Sequence, residues 1–177
     1  MSQRPIPRGP VPDLAVDLVG GGSFRLADSR PAQFTMVVFY RGLHCPICKA
    51  YLRDLDRRLP GFEAKGVAAI AVSCDDAERA RAARADWHLE RLAVGYGLAI
   101  EAARAWGLYI SSGIGKTSAG IEEPARFSEP GLFLVRPDGT LYAANVISMP
   151  FARPDFAAID AALERIIARN YPARGEA

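Results

Sequence analysis

Apolar residues recur along this chain in two rhythms, and the changes between them mark out its elements. Residues 34–40, FTMVVFY, are continuously apolar and β-branched, as a strand buried on both faces would be. The next stretch, PICKAYLRDLDRRL, spaces Ile47, Tyr51, Leu55 and Leu59 four apart and predicts a helix over 46–59. The rhythm then repeats. Residues 66–74, GVAAIAVSC, predict a second strand, and Asp75 and Asp76 are suited to the cap and first turn of the helix that follows. A short strand is expected in ERLAVGYG, and a helix in LAIEAARAWGL that stops at Gly107. Upstream, LAVDLVGGGSFRLAD reads as a hairpin turning at Gly20 to Gly22, at the edge of a sheet. Downstream, residues 131–135 and 140–146 flank the turn RPDG as a second hairpin. In the last helix Phe156, Ile159, Leu163 and Ile166 form one stripe.

Strands alternating with helices predict an α/β fold with a largely parallel sheet covered on both faces. The 177 residues suit one domain, with residues 1–12 as a loosely ordered, proline-rich lead and residues 110–130, rich in glycine, serine and proline, as a surface insertion or lid. Net charge is +2, from 22 basic and 20 acidic residues, so no bulk field points to nucleic acid or to an anionic membrane. The arginines between residues 78 and 91 sit beside acids and read as a solvated helix face. GIGKTS lacks the earlier glycine of a phosphate loop, because Ile110 stands there. With no long apolar run and no secretory-type leader, the expectation is a cytoplasmic protein that spans no membrane.

Half the residues are hydrophobic, so a core can form without staples, and the cysteines are left to chemistry. There are three: Cys45, Cys48 and Cys74. If the helix begins at Pro46, where a missing N–H costs least, Cys45 is its N-cap and Cys48 lies one turn inside. Unpaired amides and the helix dipole favour a thiolate there, and Arg41, His44 and Lys49 could reinforce it. Cys45, expected to be exposed, is then the attacking sulfur, and Cys48, further inside, is the resolving thiol that closes a disulfide. A structural zinc site would need about four ligands. Cys74, His44 and His88 are too scattered to complete one around a single CxxC. Cys74 ends a strand parallel to the one before Cys45 and could therefore lie near the pair.

The run YRGLHCPIC, with Phe39, Tyr40, Arg41, Gly42, Cys45, Pro46 and Cys48, together with VAAIAVSCDD and FLVRPDGTLYAANV, resembles the peroxiredoxin-like branch of the alkyl hydroperoxide reductase and thiol-specific antioxidant (AhpC/TSA) family. The resemblance covers roughly residues 11–168. It implies a thioredoxin-like fold with a central mixed sheet, helices on both faces and an N-terminal β-hairpin. It also implies an antioxidant oxidoreductase that reduces peroxides without a prosthetic cofactor or metal, its disulfide reduced by an external thiol reductant such as thioredoxin or glutathione. A homodimer is compatible with it. Two positions depart from the family pattern. The threonine three residues before the attacking cysteine is Gly42 here, and the arginine before the closing hairpin is replaced by Pro130, so Arg41 or Arg126 would have to supply the charge. Pro130 in turn resembles the cis-proline opposite the CxxC of thioredoxins. Arg153 matches an arginine near the last helix of similar proteins, without an assigned role. Thiol–disulfide exchange or thiol transfer is the alternative activity, and a non-enzymatic redox sensor or binding module the alternative of another class.

Overall fold

The computed structural model describes residues 4–177. Seven strands form one mixed sheet: β1 (Ala15–Leu18), β2 (Ser23–Arg25), β3 (Phe34–Phe39), β4 (Val67–Val72), β5 (Ala93–Tyr96), β8 (Gly131–Val135) and β9 (Leu141–Val146), in the order β2-β1-β5-β4-β3-β8-β9. Between β5 and β8 in the chain, β6 (Ile110–Ser112) and β7 (Arg126–Ser128) pair with each other alone. Only β3, β4 and β5 run parallel, so the sheet is less parallel than strand–helix alternation implied. Both hairpins add antiparallel strands at its sides, because two-residue-type turns cannot return a chain in parallel.

The continuous apolar run of β3 follows from its central place. Met36, Val38 and Tyr40 pack into one layer with α1 (Pro46–Ala64), α2 (Ala77–Asp86) and α4 (Phe156–Arg169), while Val37 and Phe39 pack into the other beside α3 (Ile100–Ala105) and Trp106. Alternate side chains thus enter opposite cores. Helix α1 passes its expected end and continues through Pro60 to Ala64, where the fully buried Phe62 anchors its last turn. Among the described residues no helix is long and apolar enough to cross a membrane. The expected loose lead falls partly on residues 1–3, outside the described residues. The rest of it is tied down: Arg8 N–H donates to the Leu141 carbonyl, Val11 N–H to Gly139, and Pro10 bridges Thr140. Open backbone on β9 and its turn captures this segment, a contact that proline content cannot foretell.

Candidate active site

The site forms where β3 ends and α1 begins. The chain leaves β3 at Tyr40 and turns through Gly42 at φ +134°, a backbone conformation that glycine adopts freely. A β-carbon there would also meet Asp75 Oδ1 at 2.6 Å. Asp75, buried just past the end of β4, accepts the Leu43 N–H (2.7 Å) and the Arg79 Nε–H (3.0 Å). It therefore ties the cysteine turn to the neighbouring strand and is not a first-turn residue. Asp76 alone caps α2. Burial raises the Asp75 carboxyl, against the Leu43 and Arg79 hydrogen bonds. Threonine cannot occupy position 42 in this arrangement.

Cys45 is the N-cap of α1, Pro46 its first residue, and the Cys48 N–H donates to Cys45 Sγ at 3.2 Å. Contrary to the expected exposure, Cys45 is 1 % exposed and Cys48 wholly buried. The two sulfurs take opposite characters. A hydrogen bond from the Cys48 thiol, more than burial can oppose, lowers the Cys45 pKa to about 6, helped by the Cys48 amide and by the charges of Arg153 and Arg41. Burial first, then donation to Cys45, pushes Cys48 well above the ordinary thiol value. One sulfur is an anion at neutral pH and its neighbour holds the proton.

Arg153 completes the centre. It lies in the turn between β9 and α4, with Nε–H donated to the Pro150 carbonyl (3.1 Å) and Nη2 donating to Cys48 Sγ (3.5 Å) and Cys45 Sγ (3.7 Å). Its guanidinium lies over the Tyr51 ring at 5.5 Å, and the Tyr51 hydroxyl donates to the Pro154 carbonyl. Nη1 is buried without a hydrogen-bond partner in the chain. The only sequence signal for this residue was its match to similar proteins; nothing in its own surroundings linked it to a cysteine 108 residues away.

Four expectations change. His44 is buried, its pKa lowered to about 4 by burial and then by the charge of Arg41, so it is neutral and does not assist Cys45 as a cation. Its ring stands edge-on to Phe127, and its Nδ1 faces Arg79 Nη2 at 3.3 Å. Arg126 is exposed on β7, because strand alternation turns Phe127 inward instead. Pro130 follows a trans peptide bond. Its carbonyl accepts the Ile147 N–H, and the Glu129 N–H donates to Tyr109, so the backbone there is engaged within the chain itself. Cys74 packs with the core on the other face of the sheet from Cys45 and Cys48, because neighbouring strand ends share an edge without sharing a face.

The 110–130 segment is not a loose lid. Glu123 and Glu129 both pair with Arg41, at 3.2 and 3.1 Å, and the Thr117 hydroxyl donates to the His44 carbonyl at 2.6 Å. Arg41 also lies over the Phe127 ring at 4.7 Å. Among the described residues no cluster of three or more His, Cys, Asp or Glu side chains is placed to hold a metal.

Comparison with known proteins bears on the fold and the family. No curated protein matches the chain. Among solved structures, Mycobacterium bovis AhpC superposes with a TM-score of 0.75 at 14 % identity, covering 98 % of this chain and 98 % of that one. The reduced 2-Cys peroxiredoxin of Plasmodium vivax gives 0.74 at 12 % identity over 93 % of this chain and 83 % of that one. A peroxiredoxin-like protein from Aquifex aeolicus gives 0.73 at 13 % identity, over 93 % and 89 %. At such identities the likeness establishes the shared thioredoxin-like fold. The AhpC/TSA family model matches residues 7–144, well over half of the sequence, and the chain belongs to the AhpC/TSA family.

Proposed function

We propose that this protein is a thiol peroxidase in which Cys45 attacks peroxide, Cys48 resolves the product, and Arg153 serves both steps. The observation that carries the reading is a buried sulfur held as thiolate beside a guanidinium with a free donor, Arg153 Nη1. Cys45 sulfur attacks one peroxide oxygen, so an S–O bond forms as the O–O bond breaks. The departing alkoxide or hydroxide takes a proton from water, leaving Cys45 as sulfenic acid. Arg153 stabilises the charge that grows on the departing oxygen, as a fixed donor in a dry site does. Cys48 sulfur then attacks Cys45 sulfur, an S–S bond forms, and the sulfenic oxygen leaves with the Cys48 proton as water. External thiols in a reducing cytoplasm, one molecule of a dithiol such as thioredoxin or two of glutathione, return the disulfide to two thiols once the turn opens to expose it.

Burial favours peroxide over a protein disulfide. A small peroxide can reach a sulfur that is 1 % exposed, whereas a polypeptide needs accessible sulfur and open backbone beside it. The strand-like pairing offered by a thioredoxin-type proline is already consumed by Ile147 and Tyr109. Stopped-flow oxidation of the reduced protein tests the reading. Cys45→Ser should abolish the reaction, while Cys48→Ser should retain fast oxidation, accumulate sulfenic acid and lose turnover with thiols. Oxidation no faster than that of free cysteine, alongside rapid exchange with insulin or glutathione disulfide, overturns it.

A further inference from the structure

None of the steps above uses the 110–130 segment, yet it reaches the site with two buried carboxylates. The side chains of Glu123 and Glu129 are 4 % and 7 % exposed. Glu123 gives one oxygen to Arg41 Nη2 and the other to the Ile114 N–H (2.9 Å). Glu129 sets one oxygen 3.1 Å from Arg41 Nε, a charge contact without hydrogen-bond alignment, and accepts from the Ser111 hydroxyl with the other (2.6 Å). Two acids therefore face one arginine. Burying an acid costs several kcal/mol unless it is compensated, and a single acid would already neutralise Arg41. Phe127 is also in contact with His44, the residue bonded to Cys45. Around it lie Arg79 and Asp75, which pair with each other. Cys45 Sγ is touched by the Cys48 N–H from α1 and by Arg153 Nη2 from the turn before α4, and Arg41, four residues before it in the chain, acts on it through its charge.

We propose that Glu123 and Glu129 are positioning residues whose joint negative charge holds Arg41 on the 110–130 segment and offsets its pull on the Cys45 thiolate. The proposal rests on Cys45 being the attacking sulfur. Its chemical sense lies in the two demands on that sulfur: it must be ionised, and it must stay nucleophilic. Nucleophilicity falls as the thiol becomes more acidic, with a Brønsted slope of about 0.4–0.5, so the best attacking thiol has a pKa near ambient pH. Arg153 and Arg41 acting without opposition would carry Cys45 past that point.

The test is the pH dependence of Cys45 alkylation by iodoacetamide in the reduced full chain, followed at Cys45 by mass spectrometry. It needs no peroxide and so stands or falls apart from the peroxidase reading. Glu123→Gln and Glu129→Gln, which keep the shape while removing the charge and one acceptor oxygen, should each lower the Cys45 pKa by roughly half a unit. The double variant should lower it further. Thiolate at pH 5 then rises about 2.5-fold, while the alkylation rate of the ionised thiol at pH 8 falls to about 0.6 of the parent, so the two pH–rate profiles cross. Mere loosening of the segment would weaken support of the thiolate and raise the pKa. Thr117→Val supplies that comparison, since it releases the His44 carbonyl without altering charge. A folded Glu123→Gln and Glu129→Gln pair with an unchanged or raised pKa overturns the proposal, as does an equal lowering in Thr117→Val.

Discussion

Replacing Arg153 with methionine removes the guanidinium while keeping much of its bulk over Tyr51. At 3.7 Å from Cys45 Sγ, and with an effective dielectric constant of about 20, full unit charges would attract by roughly 4.5 kcal/mol. The guanidinium charge is spread over several atoms and shared with Cys48, and opposite charges at such range shift a pKa by about 1–3 units. The Cys48 thiol and amide, which still donate to Cys45 in the variant, contribute more than Arg153 does. A rise of about 1–2 units, or roughly 1.4–2.7 kcal/mol, is therefore expected for Cys45. Starting from about 6, the thiolate fraction at pH 7 falls from roughly nine-tenths to between one-half and one-tenth. Stopped-flow peroxide oxidation should slow about two- to tenfold at pH 7 from this cause alone. By pH 9 both proteins are largely ionised and that part of the deficit disappears. What persists is the lost donation from Arg153 to the departing oxygen, about a hundredfold or more, less the roughly 2.5- to tenfold gain in thiolate nucleophilicity that the raised pKa brings. An alkylation pKa within about 0.3 unit of the parent, in a folded variant, refutes the ion-pair reasoning.

Two further outcomes follow from the turn that carries Cys45. Gly42→Thr, which restores the residue usual in related proteins, should destabilise by about 2–4 kcal/mol, because position 42 has φ +134° and its β-carbon would meet the Asp75 carboxylate. A lowered thermal midpoint checks this, and an unchanged one would show that Asp75 yields readily. His44, held neutral with a pKa of about 4 against an ordinary 6.5, refuses a proton that the unfolded chain accepts between those values. Its penalty is absent above pH 6.5, grows as pH falls through that window and is complete near pH 4, reaching at most about 3 kcal/mol. Urea titrations from pH 7 to pH 4 should show a shallower decline in His44→Asn than in the parent, and parallel declines would contradict the burial argument.

The strand–turn–helix that presents Cys45 was legible in sequence because its determinants are local. A continuous apolar run, a proline at the first helical position and a four-residue stripe act within a few residues of one another. The unequal positions of the two cysteines followed from the same local geometry, since the N-cap sulfur accepts an amide that the next turn must offer. The error about His44 had a tertiary origin. Adjacency to Cys45 implied an accessible cation, but Phe127, Arg41 and Arg79 arrive from distant elements and leave the ring dry and between positive charges. Cys74 likewise reaches the correct sheet edge and the wrong face, because the strand period that directs its side chain counts from β4 alone.

By itself the sequence determined the αβ alternation, both hairpins, the capped start of α1 and the placing of two cysteines at that start. Tertiary structure decided what surrounds them. Arg153 stands over the sulfurs across 108 residues of chain, and Glu123 meets Arg41 across 82. Periodicity and capping constrain neighbours within about a turn or a strand. Which charge arrives from the far side of the fold depends on strand order and on the loops that return the chain. Those contacts set the acidity of Cys45, and sequence spacing carries no record of them.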